Sequence, residues 1–191
     1  MAEHGVTVEG DVIRTSRLTV RPWAVEDAEA ALVVYGAADV ARWLSPAMAR
    51  VADVDAMREL ITAWTREELE SPQGRWAVEL VETGELVGGV AVLPLPPEGE
   101  DLEVGWQLAP HAWGHGIAAE AGHAVAHRAF TFGVEELFAV VRQQNGRGAA
   151  TAQRVGMEWV GETDKYYDLQ LQVFRLRKGD LDVPQQRRPR D

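Results

Sequence analysis

The connection between a strand and a helix at residues 108–121 constrains the fold of this chain more than any other segment. Its sequence is Leu-Ala-Pro-His-Ala-Trp-Gly-His-Gly-Ile-Ala-Ala-Glu-Ala. Gly114 and Gly116 allow backbone amides to approach a ligand, and they precede a helix whose first N–H groups have no intrahelical partner. Such a site favours an anion, and a pyrophosphate fits because the amides and the helix dipole converge on it. An ordinary turn into a helix is the alternative that the Gly-x-Gly spacing leaves open.

Two other phosphate-binding motifs are excluded by the residues around these glycines. A P-loop requires a lysine followed by serine or threonine after its last glycine, and this segment contains no lysine. A dinucleotide-binding fingerprint requires a third glycine, where this chain has Ala119, and it belongs at the first strand-helix turn of a domain.

The hydrophobic pattern predicts an α/β (α+β) domain with a mixed central sheet of six to seven strands and about four flanking helices. Strands are expected at residues 12–23, 75–81, 86–93, 102–109, 137–142, 157–162 and 169–177. Helices are expected at residues 24–35, 53–70, 117–132 and 148–155. We expect one domain over residues 12–178, a flexible N-terminal segment at 1–11 and a polar tail at 179–191.

Composition limits the chemistry and the partners of this chain. The 191 residues include no cysteine, which excludes disulfides, thiolate zinc sites and a cysteine nucleophile. The net charge of -11 repels nucleic acid, and no apolar run is long enough to span a membrane. The first nine residues lack the features of a signal peptide, so we expect a cytoplasmic protein. His123 and His127 have a metal-ligand spacing but lack the accompanying glutamate, so no metal site is expected.

Four segments of the chain resemble motifs of the GNAT superfamily of acetyltransferases, particularly its RimJ/RimL-type branch (ribosomal-protein-alanine acetyltransferase-like). Residues 113–121 resemble the signature W-G-x-G-x-A-x-E-A, and residues 14–23 resemble the opening T-x-R-L-x-L-R-P. Residues 103–108 resemble the fourth strand of the family, and residues 145–157 resemble the element N-x-x-S…G-F. The resemblance covers about residues 14–177, with the motifs in the expected order.

This resemblance implies the GNAT fold, with a sheet splayed in its middle, and acetyl-CoA or another acyl-CoA as co-substrate. The pyrophosphate would bind the amides of residues 111–118, and the pantetheine would lie along the splayed strand as an added strand does. The residues implied to contact the cofactor are Gln107, Leu108, Ala109, His111, Trp113, Gly114, His115, Gly116, Ile117, Ala118 and Asn145.

Acyl transfer from a thioester to an amine requires an uncharged nucleophile, a polarised carbonyl group and a leaving thiolate. Relatives carry a glutamate base on the strand that contains Glu103, so the resemblance implies this residue, with Asp101 and Glu162 as alternatives. It also suggests the backbone N–H of Leu108 as the donor to the oxyanion.

The general acid is harder to assign, because two positions where relatives carry a hydroxyl group are Gly148 and Phe174 here. Tyr166 and Tyr167 are the remaining candidates in the second half of the chain. A thiol with a pKa near 8.5 can also leave as the thiolate with weak assistance, so a missing acid need not abolish turnover.

The resemblance implies an enzyme that transfers an acetyl group to a primary amine by direct attack in a ternary complex. The acceptor would be a small molecule or a protein N-terminus, with Trp43 and Leu44 beside it. The alternatives are a non-catalytic acyl-CoA sensor and an acyltransferase that uses succinyl-CoA or another thioester. Dimerisation is common among relatives, so a homodimer is compatible with the resemblance.

Overall fold

A computed structural model describes residues 5–45, 48–96 and 99–181 of the chain. These residues form one nine-stranded sheet with the strand order β1-β2-β3-β4-β5-β6-β7-β9-β8. The strands are Thr7–Glu9 (β1), Val12–Arg14 (β2), Leu18–Pro22 (β3), Gly74–Leu80 (β4), Leu86–Pro94 (β5), Leu102–Leu108 (β6), Glu136–Arg142 (β7), Glu158–Thr163 (β8) and Leu171–Arg177 (β9). The helices are Ala28–Tyr35 (α1), Ala38–Ala41 (α2), Val54–Arg66 (α3), Ile117–Thr131 (α4) and Gly146–Val155 (α5).

The mixed, helix-covered sheet is confirmed, with more strands than the expected six to seven. The single strand expected at residues 12–23 is two strands, because Thr15 closes a turn between β2 and β3. Its hydroxyl accepts the backbone N–H of Leu18 at 2.9 Å, and its own N–H donates to the Leu18 carbonyl at 3.0 Å. β1 adds a further strand before the expected domain start at residue 12, and most of the expected C-terminal tail, residues 182–191, lies outside the described residues.

The sheet has a hydrophobic core on each face. On one face α4 packs over β5 and β6 and α5 packs over β7, β8 and β9, with residues such as Val104, Ala121 and Val155 in one buried cluster. On the other face α1 and α3 cover the sheet around Trp23, Tyr35 and other apolar residues. The two faces of β6 therefore look toward two different helical layers, as alternation along a strand requires.

β6 and β7 diverge in the middle of the sheet. They are parallel and share one register pair, Glu103 with Phe138. In contrast, β5 and β6 stay paired along their length, from Pro94 opposite Leu102 to Gly88 opposite Leu108. Because Ala109 donates its N–H to the Val87 carbonyl, Leu108, one residue earlier, directs its N–H to the opposite side, into the gap. The expected splay is thus present, and its position leaves backbone groups of β6 available to a ligand.

Candidate active site

The loop between β6 and α4 leaves the beginning of α4 uncapped. Gly114 and Gly116 have φ angles of 85° and 75°, in the left-handed region that favours glycine. No side chain caps α4 at Gly116, so the first N–H groups of the helix stay available. A Cβ atom added at Gly114 would meet no protein atom within 4 Å. The loop therefore presents free amides beside open space, which is the geometry that an anionic ligand needs.

A buried carboxylate fastens this loop to the N-terminal strands. Glu120 accepts hydrogen bonds from the Thr15 hydroxyl at 2.6 Å and from Arg17 Nε at 2.6 Å. A second nitrogen of Arg17, Nη1, donates to the His115 carbonyl at 3.0 Å. The two sequence motifs at residues 14–23 and 113–121 therefore contact each other.

A cavity of about 350 Å³ opens in front of the loop and the first turn of α4. Eight of the residues implied to contact the cofactor line it: Gln107, Leu108, Trp113, Gly114, Gly116, Ile117, Ala118 and Asn145. Three others do not. Ala109 is buried, His111 Nε2 lies 2.8 Å from Glu85 Oε1, and His115 contributes its carbonyl to the bond with Arg17.

The cavity also has a wall on α5 that sequence reasoning missed. Arg147, Thr151 and Arg154 line it, and the guanidinium of Arg147 stacks 3.8 Å from the ring centroid of Trp113. These three positions follow an i, i+4, i+7 spacing, so they share one face of the helix. This spacing of polar residues is the sequence feature from which the wall could have been predicted. The wall adds two cations to the cavity that opens in front of α4.

Asn145 connects this wall to its helix. Its side-chain oxygen accepts the N–H of Gly148 at 2.9 Å, which makes it the N-cap of α5. Asn145 lines the cavity as well, so one residue supports the helix and faces the expected cofactor.

A second cavity of about 660 Å³ lies on the other face of β6, under α1 and α3. Its walls include Trp43 and Leu44, the residues expected beside the acceptor, together with the aromatic residues Trp23, Tyr35 and Trp64. Five residues line both cavities: Trp43, Trp106, Gln107, Asn145 and Gly148. The two cavities therefore meet at the gap between β6 and β7.

Glu103 lies in the wall of the larger cavity, at the point where β6 and β7 begin to diverge. Burial raises the pKa of its carboxyl group to about 7, although hydrogen bonds from Tyr167 and from the backbone N–H of Val140 act in the opposite direction. The Tyr167 hydroxyl donates to Glu103 Oε2 at 3.2 Å. Two of the three residues expected to be catalytic are thus hydrogen-bonded partners.

Tyr167 occupies an unusual backbone conformation. Tyr167 and Asp168 have φ angles of 58° and 52°, which non-glycine residues adopt at a cost of about 1–3 kcal/mol each. Burial, and then the charge of Glu103, raise the pKa of the Tyr167 phenol to about 12, and Ser45 forms a further hydrogen bond with it. The phenol is therefore protonated near neutral pH and held between Ser45 and Glu103.

The structure places Tyr166 away from both cavities. Its hydroxyl donates to Asp101 Oδ2 at 2.6 Å, and its ring packs against Leu95 and Leu171. This hydrogen bond, followed by one from Lys165, lowers the pKa of Asp101, so that carboxylate is an ion-pair partner and lies outside the cavity walls. Glu162, the third carboxylate considered, accepts a hydrogen bond from Gln143.

The two positions without a hydroxyl group have structural explanations. A Cβ atom at Gly148 would lie 2.6 Å from Asn145 Nδ2 and 3.0 Å from Val141 Cγ1, so a serine there would disturb the cap of α5. Phe174 is 1% exposed and belongs to the core beneath α4. Tyr167, on a different segment, places a hydroxyl group 3.2 Å from Glu103.

Among the described residues, no group of three His, Asp or Glu side chains is arranged to hold a metal ion. Within the same part of the chain, no helix combines the length and the apolar character needed to cross a bilayer.

Comparisons with known proteins agree with this geometry. Residues 17–158 match the family model described as an acetyltransferase (GNAT) domain. The chain is 24% identical over 156 residues to the uncharacterized N-acetyltransferase YoaA of Bacillus subtilis, covering 81% of this chain and 87% of YoaA.

Two solved structures show the same fold. The acetyltransferase from Agrobacterium tumefaciens has a TM-score of 0.71 and 27% identity, covering 93% of this chain and all of the other. RimJ of Mycobacterium smegmatis, solved in complex with CoA-disulfide, has a TM-score of 0.71 and 20% identity, covering 87% and 84% of the two chains. The family model spans most of this chain and includes β6, the strand between the two cavities. The chain therefore belongs to the GNAT acetyltransferase family of transferase enzymes.

Proposed function

We propose that this enzyme transfers an acetyl group from acetyl-CoA to a primary amine, by direct attack of the amine while both substrates are bound. The observation that carries the proposal is the meeting of two cavities at β6, with Glu103 and Tyr167 in the wall of the larger one. A thioester bound in one cavity and an amine bound in the other would come together at this strand.

The residues of the smaller cavity fit acetyl-CoA. Uncapped amides at the beginning of α4 suit the pyrophosphate, and Arg147 and Arg154 add positive charge in a protein of net charge -11. The gap between β6 and β7 suits the pantetheine, because an extended ligand can pair with the backbone groups that β7 leaves free.

Glu103 is suited to act as the base, because a pKa of about 7 keeps a useful fraction of the carboxylate charged near neutral pH. It would accept a proton from the amine, directly or through water, as the new N–C bond forms. The C–S bond then breaks, and the thiolate leaves with a proton available from Tyr167. The N–H of Leu108 points into the gap and is suited to stabilise the oxyanion.

The alternative of a non-catalytic sensor was based on the absence of a hydroxyl group at Gly148 and Phe174. Tyr167 weakens that argument, because it brings a protonated hydroxyl group to within 3.2 Å of Glu103. The enzyme is therefore the function that we favour.

Binding of acetyl-CoA to wild type and to Gly114→Arg, measured by calorimetry, tests the cofactor site. The arginine should occupy the space in front of α4 and weaken binding at least tenfold, a change of about 1.4 kcal/mol. Gly133→Arg is a matched control, because Gly133 also has a φ angle of 85°, also has no atom within 4 Å of an added Cβ, and lies outside both cavities.

Release of free thiol on an amine panel then tests turnover. Cofactor binding without thiol release on any amine would favour the sensor. If wild type does not bind acetyl-CoA, or if Gly114→Arg binds it as tightly as Gly133→Arg does, the proposed cofactor site is wrong.

A further inference from the structure

Arg142 at the end of β7 brings a positive charge into the larger cavity. The residue is half-buried and lines that cavity, and its guanidinium makes one long hydrogen bond, 3.4 Å from Nη2 to the Leu44 carbonyl. An arginine has five N–H donors, and the bond to the Leu44 carbonyl uses one of those of Arg142, a residue in the cavity wall.

The second arginine of the cavity is neutralised, which makes Arg142 distinctive. Arg75 Nε lies 2.8 Å from Glu67 Oε2, and its guanidinium also stacks on Trp64. Arg142, in contrast, forms no ion pair with any carboxylate of the described residues, although the chain has an excess of acidic residues. A half-buried guanidinium without a counter-ion is costly, and a planar carboxylate is the partner that best satisfies it.

The position of Arg142 relative to Glu103 sets the distance between the reacting centre of a ligand and its carboxylate. Val140, two residues earlier on the same strand, donates its backbone N–H to Glu103. Two residues of a strand span about 7 Å, and their side chains point to the same face. A ligand whose reacting centre lies beside Glu103 can therefore reach Arg142 with a carboxylate a few bonds away.

We infer that Arg142 binds a carboxylate of one of the two substrates, which narrows the substrate class of the site. This inference rests on the proposed transfer from an acyl-CoA to an amine, and a carboxylate on the acyl group would replace acetyl as the group transferred. The carboxylate has two sources. It belongs either to the acceptor, which is then an amino-acid-like amine, or to the acyl group, which is then a dicarboxylic acyl group such as succinyl.

Matched substrates distinguish these sources. For the acceptor, kcat/KM is measured with acetyl-CoA and either phenylalanine or phenethylamine, which differ by the carboxylate and suit the aromatic walls. For the acyl group, dissociation constants of succinyl-CoA and acetyl-CoA are compared by calorimetry. Each measurement is made on wild type, Arg142→Gln and Arg142→Lys, with Arg58→Gln as the control, because Arg58 is exposed on α3 and paired with Asp55.

We expect wild type to prefer the carboxylated member of one pair, and Arg142→Gln to reduce that preference about 10- to 100-fold. Arg142→Lys should retain part of the preference and Arg58→Gln all of it. In Arg142→Gln the loss should fall mainly on the carboxylated member, so that the ratio within the pair changes. A purely structural role for Arg142 would instead reduce both members of each pair together.

The inference is overturned if wild type shows no carboxylate preference in either comparison, or if the preference survives in Arg142→Gln. In that case normal binding of acetyl-CoA would leave the proposed function standing. Failure of wild type to bind either thioester would contradict the proposed function itself.

Discussion

Glu103 gives the enzyme a testable dependence on pH. A carboxyl group must be deprotonated to act as a base, so kcat/KM should rise as the pH increases through the Glu103 pKa of about 7. Rates of thiol release between pH 5.5 and 9 check this with any amine that the enzyme accepts. We expect Glu103→Gln to lower kcat/KM by about 10²- to 10⁴-fold, the usual contribution of a general base.

The same variant supplies the control for the pH profile. The acceptor amine also loses its proton as the pH rises, but that limb belongs to the substrate and should remain in Glu103→Gln. A limb near pH 7 that survives the substitution would show that another group is titrating, and Glu103 would not be the base.

Two adjacent tyrosines illustrate what the sequence can predict at the scale of single residues. Both were candidates, because nothing in their composition or spacing separates them. Tyr167 reaches Glu103 and Tyr166 bonds to Asp101 instead. The difference arises from the left-handed backbone at Tyr167 and Asp168. Non-glycine residues seldom adopt this conformation, and the local sequence does not predict it.

At the scale of elements, the caps of α3 and α5 allow structural and functional roles to be separated. Asp53 Oδ1 accepts the N–H of Ala56 at 2.9 Å, and Asn145 Oδ1 accepts the N–H of Gly148 at the same distance. We expect Asp53→Ala and Asn145→Ala each to lower the free energy of unfolding by about 1 kcal/mol, measured by urea denaturation. Asn145→Ala should also weaken acetyl-CoA binding, because Asn145 lines the cofactor cavity.

Asp53→Ala is the reference for this comparison, since its cap lies outside both cavities. Wild-type affinity for acetyl-CoA in both variants would mean that Asn145 supports the helix alone. A loss of affinity in both would mean that binding follows global stability.

Element types were predictable from periodicity, whereas several boundaries were not. The alternation of residues 12–23 continues through a turn that Thr15 forms with its side chain, so one strand was predicted where the chain makes two. α3 was expected to reach residue 70 but ends at Arg66, where Glu67 adopts an extended backbone. In both cases the pattern of apolar residues continues past the point where local hydrogen bonds end the element.

At the scale of the whole molecule, the divergence of β6 and β7 predicts where a cofactor should have its largest effect. Acetyl-CoA at 100 times its dissociation constant should stabilise the fold by about 2.7 kcal/mol. Hydrogen exchange should slow most at Leu108, whose N–H points into the gap, and in the first turn of α4, which no side chain caps. Amides between β3 and β4 provide the internal control, because this strand pair is complete and lies away from the gap.

Protection spread evenly over the sheet would contradict this prediction. It would indicate that acetyl-CoA stabilises the fold without pairing with the free edge of β6.

The glycine loop, and its place between a strand and a helix, could be predicted from the sequence because both depend on contiguous residues. The wall on α5 was harder to predict, because Arg147 and Arg154 line the same cavity as the loop only in the folded chain. The same holds for Arg17 and Glu120, which are far apart in the chain and joined by a hydrogen bond and an ion-pair contact of one guanidinium. Long-range pairs of this kind depend on topology, which local patterns do not contain.

The left-handed backbone at Tyr167 and Asp168 also has a consequence for engineering. Glycine adopts such angles without strain, so a library of variants selected only for heat resistance should accumulate glycine at the exposed position 168. Glycine at 167 would remove the hydroxyl group beside Glu103, whereas glycine at 168 would keep it. A stabilised catalyst should therefore be sought at position 168, because glycine at 167 would also lose the packing of the tyrosine ring.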